Sequence, residues 1–158
     1  MIWALKYQGR RSLAGPLGLL LAGLALKELG DVVPQLLIPV PLTPARLQSR
    51  GFNQAELLAL SLGRELGLVV TGRVLARVRE TTPQVGLSRQ ARWQNLAGAF
   101  QVLESGLIRG RRLLLVDDVL TTGATAVACT VALRAAGAVS VRVVTLATGF
   151  EAIANISP

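Results

Sequence analysis

The sequence predicts an α/β fold in which helices flank a mainly parallel β-sheet. Short apolar runs alternate with segments of helical periodicity, as in chains built from βαβ units. One run, residues 113–116, is continuously apolar, which is typical of a strand buried on both faces of a parallel sheet. At 158 residues and 51% hydrophobic, the chain has the size and composition of one domain with a sizeable core.

The first expected element is a helix over residues 13–26. Four leucines recur at helical spacing and predict its core-facing stripe: Leu13, Leu17, Leu20 and Leu24. Basic residues precede this apolar segment, so a secretory or twin-arginine signal is the alternative: Lys6, Arg10 and Arg11. With 14 residues and Pro16 inside it, the segment is too short to span a bilayer, and we favour a helix of the folded domain.

The later elements alternate in the same manner. Residues 36–40 predict the first strand, and residues 53–67 predict a helix with Asn53 as its N-cap and Gly67 at its end. The other expected strands cover residues 68–70, 74–78, 113–116 and 139–146, and a further helix runs from about Ala124 to Ala136. Residues 1–150 therefore form one expected domain, and residues 151–158 are expected to be a loose C-terminal tail.

Residues 113–125 combine an apolar run, two acids and a Thr/Gly turn. Asp117 and Asp118 fall at the carboxyl end of the predicted strand, where open α/β sheets bind ligands. Ionised carboxylates only accept hydrogen bonds, so the pair suits the 2′ and 3′ hydroxyls of a ribose. The turn opens a helix and suits a phosphate group; its residues are Leu120, Thr121, Thr122, Gly123, Ala124 and Thr125. We therefore expect ribose 5-phosphate as the ligand.

Two other interpretations of this segment are weaker. A buried strand with an incidental acidic pair explains the pattern without a ligand. A receiver domain of a response regulator needs a phosphoacceptor aspartate downstream, yet the only acid after Asp118 is Glu151. Neither a Walker A nor a Rossmann glycine pattern occurs. The chain has no His, which excludes His-based triads, and its single Cys129 excludes an intramolecular disulfide and favours an inert buried thiol.

Two polar loops accompany the motif. In residues 41–54, Arg46 and Arg50 and the amides near Gly51 are expected to hold a pyrophosphate group, with a solvated basic loop as the alternative. Residues 79–95 are long, lack clear periodicity and carry Arg79 and Arg89, which suggests a flexible lid over a polyanion. A disordered, solvated loop is the alternative there. Trp93 and Phe100 are expected to be packing anchors.

Four segments together resemble the ComF family, which belongs to the type I phosphoribosyltransferases and is associated with bacterial competence for DNA uptake: residues 6–11, 40–59, 81–100 and 113–125. Residues 113–125 resemble the motif that binds phosphoribosyl pyrophosphate (PRPP). The similarity extends from Ile2 to about Ala147. Many members begin with a Cys-rich, zinc-binding module, which is absent from this sequence, so the partner binding of that module is not expected here.

The resemblance implies a type I phosphoribosyltransferase fold and a cytoplasmic, Mg²⁺-dependent transfer of ribosyl 5-phosphate from PRPP to an acceptor, with release of pyrophosphate. Mg²⁺ would be held mainly by PRPP and water, without direct protein ligands. Asp117 and Asp118 would be the catalytic pair. Arg46, Arg50, Gly51, Arg79 and Arg89 would serve the pyrophosphate end.

Charge leaves other functions open. The net charge is +8, with 15 Arg and 2 Lys, which favours a polyanionic partner. A non-catalytic competence module that binds single-stranded DNA or other proteins is one alternative, although the chain has only six aromatic residues for base stacking. A PRPP-sensing regulator is another. The Ala/Gly/Leu composition of residues 13–26 makes a homodimer plausible, and no membrane association is expected.

Overall fold

The computed structural model describes residues 10–30, 32–79, 96 and 98–148, and the backbone of residues 153–155. The described helices are α1 (Ala14–Leu29), α2 (Pro44–Arg50), α3 (Gln54–Leu66) and α4 (Ala124–Ala135). The described strands are β1 (Leu36–Pro39), β2 (Leu75–Arg77), β3 (Phe100–Val102), β4 (Arg112–Leu120), β5 (Ser140–Thr148) and β6 (Ile153–Asn155).

The main sheet has the order β1-β4-β5-β6 among the described residues. Both β1 and β5 run parallel to the central strand β4, and β6 adds to β5 in the antiparallel direction. A single parallel bridge joins Val70 to Leu37 beyond β1. The predicted α/β architecture with a parallel sheet is confirmed.

The carboxyl edge of this sheet is stepped. Pro39, the last residue of β1, pairs with Val116, whereas β4 continues to Leu120 and stays paired with β5 up to Thr148. At about 3.3 Å per residue, β4 projects roughly 13 Å past the end of β1. The predicted strand 113–116 is too short because apolar content does not report the ladder that extends β4 through its two acids.

Each face of the sheet carries its own apolar core. Leu113 and Leu115 of β4 point to the side covered by α4 and β3. Leu114 and Val116 point to the side covered by α1 and α3. Continuous apolar sequence therefore reflects burial on both faces, as expected for a central parallel strand.

A separate two-stranded sheet lies over the α4 side. Leu75, Ala76 and Arg77 of β2 pair antiparallel with Val102, Gln101 and Phe100 of β3. Phe100 is buried in the core beside α4, so its predicted role as a packing anchor is confirmed. Most of the predicted lid, residues 80–95 with Arg89 and Trp93, lies outside the described residues. Arg79, at its start, is described and exposed.

The N-terminal helix buries only part of the predicted core stripe. Leu20 of the predicted core stripe is 53% exposed, and the buried face of α1 centres on Leu21. A Cβ atom built on Gly18 would lie 2.3 Å from Ser61 Cβ, so α1 and α3 meet through small residues. Leu17 of the predicted stripe is buried and Leu13 is partly buried against the same core. Leucine spacing alone gives only part of the buried face because Gly and Ala form much of the contact. The buried positions are Ala14, Leu17, Gly18, Leu21, Ala22, Ala25 and Leu29.

This helix is also longer than the 14 residues expected. With the preceding 3₁₀ turn it gives a continuous apolar helical segment, residues 11–29, which in the described part of the chain is long and apolar enough to cross a membrane. About 39% of that segment is buried inside the protein. Length and composition are weak evidence here, because a core helix and an N-terminal signal pass the same test.

Several smaller boundaries differ from the sequence predictions. Residues 68–70 contribute one bridge at Val70 rather than a strand, since only Leu37 offers them a parallel partner. The predicted loose tail contains β6, which pairs with β5. Asn53 acts as the predicted N-cap of α3, because its side-chain oxygen accepts a hydrogen bond from Ala55 N at 3.0 Å. Gly67 ends α3 in the left-handed conformation, as predicted.

Candidate active site

The two acids lie on the overhanging end of β4. Asp118 is buried, with 3% of its surface exposed, and Asp117 is half-buried. Side chains alternate along a strand, so Asp117 follows Leu115 to the α4 side and Asp118 follows Val116 to the α1 and α3 side. Asp117 Oδ1 accepts a hydrogen bond from the backbone N–H of Asp118 at 2.8 Å. The predicted pair is therefore adjacent in the chain and divided between the two faces of the sheet.

The Asp117 carboxylate acts electrostatically on a buried thiol of α4. Cys129 of α4 is a free, buried thiol, as predicted. Burial raises the pKa of the Cys129 thiol well above its usual range, the Asp117 carboxylate raises it further, and the Arg77 guanidinium acts in the opposite direction. Arg77 also lies over the Phe100 ring, with Cζ 5.5 Å from the ring centroid. Asp117, Arg77 and Cys129 thus form one electrostatic neighbourhood, and Arg77 is a member that the sequence did not single out.

The turn between β4 and α4 has an open backbone. Gly123 adopts φ +74°, and no heavy atom lies within 4 Å of a Cβ built there. Thr122 Oγ1 accepts a hydrogen bond from Ala124 N at 3.5 Å, which shapes the turn. The first N–H groups of a helix have no intrahelical acceptor and carry partial positive charge. The predicted phosphate turn therefore places helix N-terminal amides beside an open glycine, an arrangement that suits an anion; its residues are Leu120, Thr121, Thr122, Gly123, Ala124 and Thr125.

The predicted loop 41–54 contains a helix. Thr43 caps the N-terminus of α2 by accepting a hydrogen bond from Arg46 N at 3.4 Å, and Gly51 ends the helix with φ +76°. Thr at the N-cap, Pro44 at the first helical position and Gly just past the end are the signals that could have revealed it. Arg50 Nη1 donates to Gln54 Oε1 at 2.6 Å, so Arg50 joins α2 to the start of α3.

Hydrogen bonds tie this helical turn to the sheet. Val40 N donates to Val116 O at 2.9 Å, and Asn53 Nδ2 donates to Val40 O at 3.0 Å. The junction of α2 and α3 is therefore held beside β4, next to the residue that precedes Asp117. The structure brings the predicted pyrophosphate loop and the acidic pair to the same edge of the sheet.

A known protein family matches most of the chain. The pattern of the family described as "Phosphoribosyl transferase domain" covers residues 39–156, well over half of the sequence. The chain belongs to this family.

Two named relatives identify a narrower family within the phosphoribosyl transferase domains. This phosphoribosyl transferase domain is 45% identical over 94 residues to Competence protein F of Haemophilus influenzae, covering 59% of this chain and 41% of that protein. It is 38% identical over 146 residues to DNA utilization protein YhgH of Escherichia coli K12, covering 90% of this chain and 63% of that protein. The resemblance to the ComF family is confirmed. The chain spans less than two thirds of either relative.

Solved structures confirm the fold. The structure of glutamine PRPP amidotransferase from Bacillus subtilis, complexed with ADP and GMP, matches with a TM-score of 0.57 at 22% identity over 86% of this chain and 26% of that one. Adenine phosphoribosyltransferase from Thermoanaerobacter pseudethanolicus matches with a TM-score of 0.50 at 16% identity over 83% of this chain and 80% of that one. The predicted type I phosphoribosyltransferase fold is thereby shown.

The acidic, Cys and His side chains of the domain determine how it could hold a metal ion. Within the residues that the structure describes, no group of three or more acidic, Cys or His side chains could hold a metal. Carboxylate oxygens are the protein ligands that Mg²⁺ prefers, and this ion commonly retains waters and substrate phosphates. A Mg²⁺ ion that arrives with a phosphorylated ligand would keep that ligand and water as its main ligands.

Proposed function

We propose that this domain binds PRPP with Mg²⁺ and transfers ribosyl 5-phosphate to an acceptor, releasing pyrophosphate. The observation that carries the proposal is the placement of three features on one edge of the sheet: the Asp117 and Asp118 pair, the open Gly123 turn and the α2–α3 junction. Family membership supports it. A cytoplasmic location belongs to the same proposal, because PRPP is a cytoplasmic metabolite.

Each part of the edge has a role in this reaction. The amides of the Gly123 turn hold the 5-phosphate, and Asp117 and Asp118 accept hydrogen bonds from the hydroxyls of a ribose placed across the end of β4, where both faces of the strand can be reached. The bond between ribose C1′ and the pyrophosphate oxygen breaks while the acceptor forms a bond to C1′. Positive charge grows on the ribose and negative charge on the leaving group, so the two carboxylates stabilise the sugar.

The leaving group needs the opposite charge. Arg46 and Arg50 supply it at the α2–α3 junction, where the N–H of Gly51 already donates to Leu47 O, and Arg79 and Arg89 supply it from the lid segment. When bound, Mg²⁺ neutralises charge on the pyrophosphate. No covalent intermediate with the protein is required.

The double variant Asp117→Asn with Asp118→Asn tests the assignment. Removal of both charges abolishes binding of Mg²⁺–PRPP in isothermal titration calorimetry, while the circular dichroism spectrum and cooperative unfolding remain. Glu104→Gln is a matched control, because it removes an exposed carboxylate before the 3₁₀ turn Ser105–Leu107, which precedes the end of β4 opposite the acidic pair. Unchanged PRPP affinity in the double variant refutes the proposal.

A second candidate function is a competence module that binds single-stranded DNA or proteins without turnover. The net charge of +8 and the names of the curated relatives favour it. A PRPP-sensing regulator lies between the two. Screening nucleobases and ammonia for PRPP-dependent pyrophosphate release separates catalysis from sensing, because a sensor binds PRPP and releases nothing.

A further inference from the structure

Arg11 reaches across the fold to the turn that ends α2. Its Nη2 atom donates a hydrogen bond to the carbonyl oxygen of Gly51 at 3.1 Å, although 40 residues separate the two. Its Cζ atom also lies 4.8 Å from the centroid of the Phe52 ring. One guanidinium therefore contacts two consecutive residues of the α2–α3 junction.

The ring beneath Arg11 is a fixed platform. Phe52 is buried in the core between α1, α3 and the sheet. The next residue, Asn53, is bonded to Val40 O and to Ala55 N. The guanidinium of Arg11 thus rests on a turn whose position is set by the carboxyl end of β1.

We infer that Arg11 is a positioning residue for the pyrophosphate end of the site, because its guanidinium holds the Gly51–Phe52 turn at the sheet edge. The inference rests on the proposed function. It gives a role to Arg11, which the sequence placed in a segment that resembles the ComF family and in a possible targeting signal.

The chemistry favours arginine at this position. A planar guanidinium can stack on an aromatic ring and donate in its own plane at the same time, whereas an ammonium group cannot. The bond to Gly51 uses one of several N–H donors of Arg11. Its positive charge also raises the electrostatic potential at the turn where Arg46 and Arg50 are expected to meet the leaving group. A purely structural contact would lack this second effect.

The test compares two ligands that differ at one end. Ribose 5-phosphate carries the sugar and the 5-phosphate, and inorganic pyrophosphate with Mg²⁺ carries the leaving group. Calorimetry measures both, and PRPP, on the native chain and on Arg11→Met, Arg11→Lys and Arg10→Met. Arg10→Met is the matched control because Arg10 is the exposed neighbour of Arg11.

We expect Arg11→Met to weaken pyrophosphate and PRPP binding about tenfold, the scale of one charge-assisted hydrogen bond. Ribose 5-phosphate affinity stays the same. Arg11→Lys restores part of the loss because it keeps the charge without the planar fork. Phe52→Leu, which removes the ring and keeps Arg11, weakens pyrophosphate binding in the same direction and tests the platform without altering a charge.

Two results overturn the inference. One is an Arg11→Met variant whose affinity falls equally for pyrophosphate and ribose 5-phosphate, as a general structural defect would produce. The other is unchanged pyrophosphate affinity in a folded variant. If the native chain binds neither PRPP nor ribose 5-phosphate, the proposed function itself fails, and that outcome is distinct from both.

Discussion

Gly123 is the residue at which backbone conformation and the proposed phosphate site coincide. Its φ of +74° is a left-handed conformation that an L side chain adopts at a cost of about 1 kcal/mol. The open space above it would be partly filled by a methyl group. We expect Gly123→Ala to weaken ribose 5-phosphate binding more than its loss of stability explains, as measured by calorimetry together with denaturant unfolding.

The chain offers a matched control for that substitution. Gly110 has φ +72°, would place a Cβ atom with no heavy atom within 4 Å, and lies before β4, at the opposite edge of the sheet. Gly110→Ala therefore carries the same backbone strain and leaves ligand affinity unchanged. Equal effects of the two substitutions on affinity would contradict a phosphate site at the Gly123 turn.

At the scale of whole elements, the close contact between α1 and α3 predicts how a substitution in one helix changes the stability of the protein. Gly18→Ala would place a Cβ atom 2.3 Å from Ser61 Cβ and Oγ, so the helices must separate, at a cost of about 1–3 kcal/mol. The measurement is the free energy of unfolding in urea. Gly23→Ala is the control on the same helix, because its Cβ meets nothing within 4 Å, and it stabilises by about 0.5–1 kcal/mol. A neutral Gly18→Ala would mean that the α1–α3 spacing is not set by this contact.

The elements differ in how far the sequence predicted them. β4 and α3 were predictable because a continuous apolar run and a capped, periodic segment each point to one structure. The face of α1 was not, since apolar residues surround the helix and only the position of Ser61 decides which of them are buried. α2 was missed because seven residues with two arginines show no apolar period, although its caps were visible.

The candidate site shows the same division. Its acids and Gly turn follow one another in 113–125, so local pattern sufficed to predict them. Arg11 and Arg77 come from distant segments and enter through tertiary contacts with Gly51, Phe52 and Phe100. No local spacing encodes such contacts, which is why the sequence did not assign Arg11 to the site and associated Arg77 only with the start of the lid loop.

At the scale of the whole molecule, the net positive charge and the accessibility of aromatic side chains distinguish the two candidate functions. The described residues include the aromatic side chains Phe52 and Phe100, and both are buried, so neither can serve as a platform for base stacking. We therefore expect single-stranded DNA to bind weakly and to be displaced by excess Mg²⁺–PRPP. A fluorescence anisotropy titration at several salt concentrations measures this.

Strong, salt-dependent binding of single-stranded DNA would support the competence module instead. A plot of log affinity against log salt with a slope of about −2 or steeper would indicate roughly three or more phosphate contacts. If PRPP failed to displace DNA bound in that way, the competence module would replace the enzyme as the better account.

The homodimer suggested by residues 13–26 stays a prediction, and the exposed Leu19, Leu20 and Leu26 are the positions where a second copy would pack.

The unequal lengths of β1 and β4 restrict the shape of any donor. A ligand whose phosphorylated sugar lies on the projecting strand must descend to a lower level to meet the turn after the shorter one. In PRPP the pyrophosphate at C1 and the phosphomethyl group at C4 leave opposite faces of the furanose ring, so this molecule would span two such levels. A height difference between two neighbouring strands would thus suit a stepped donor better than a flat one.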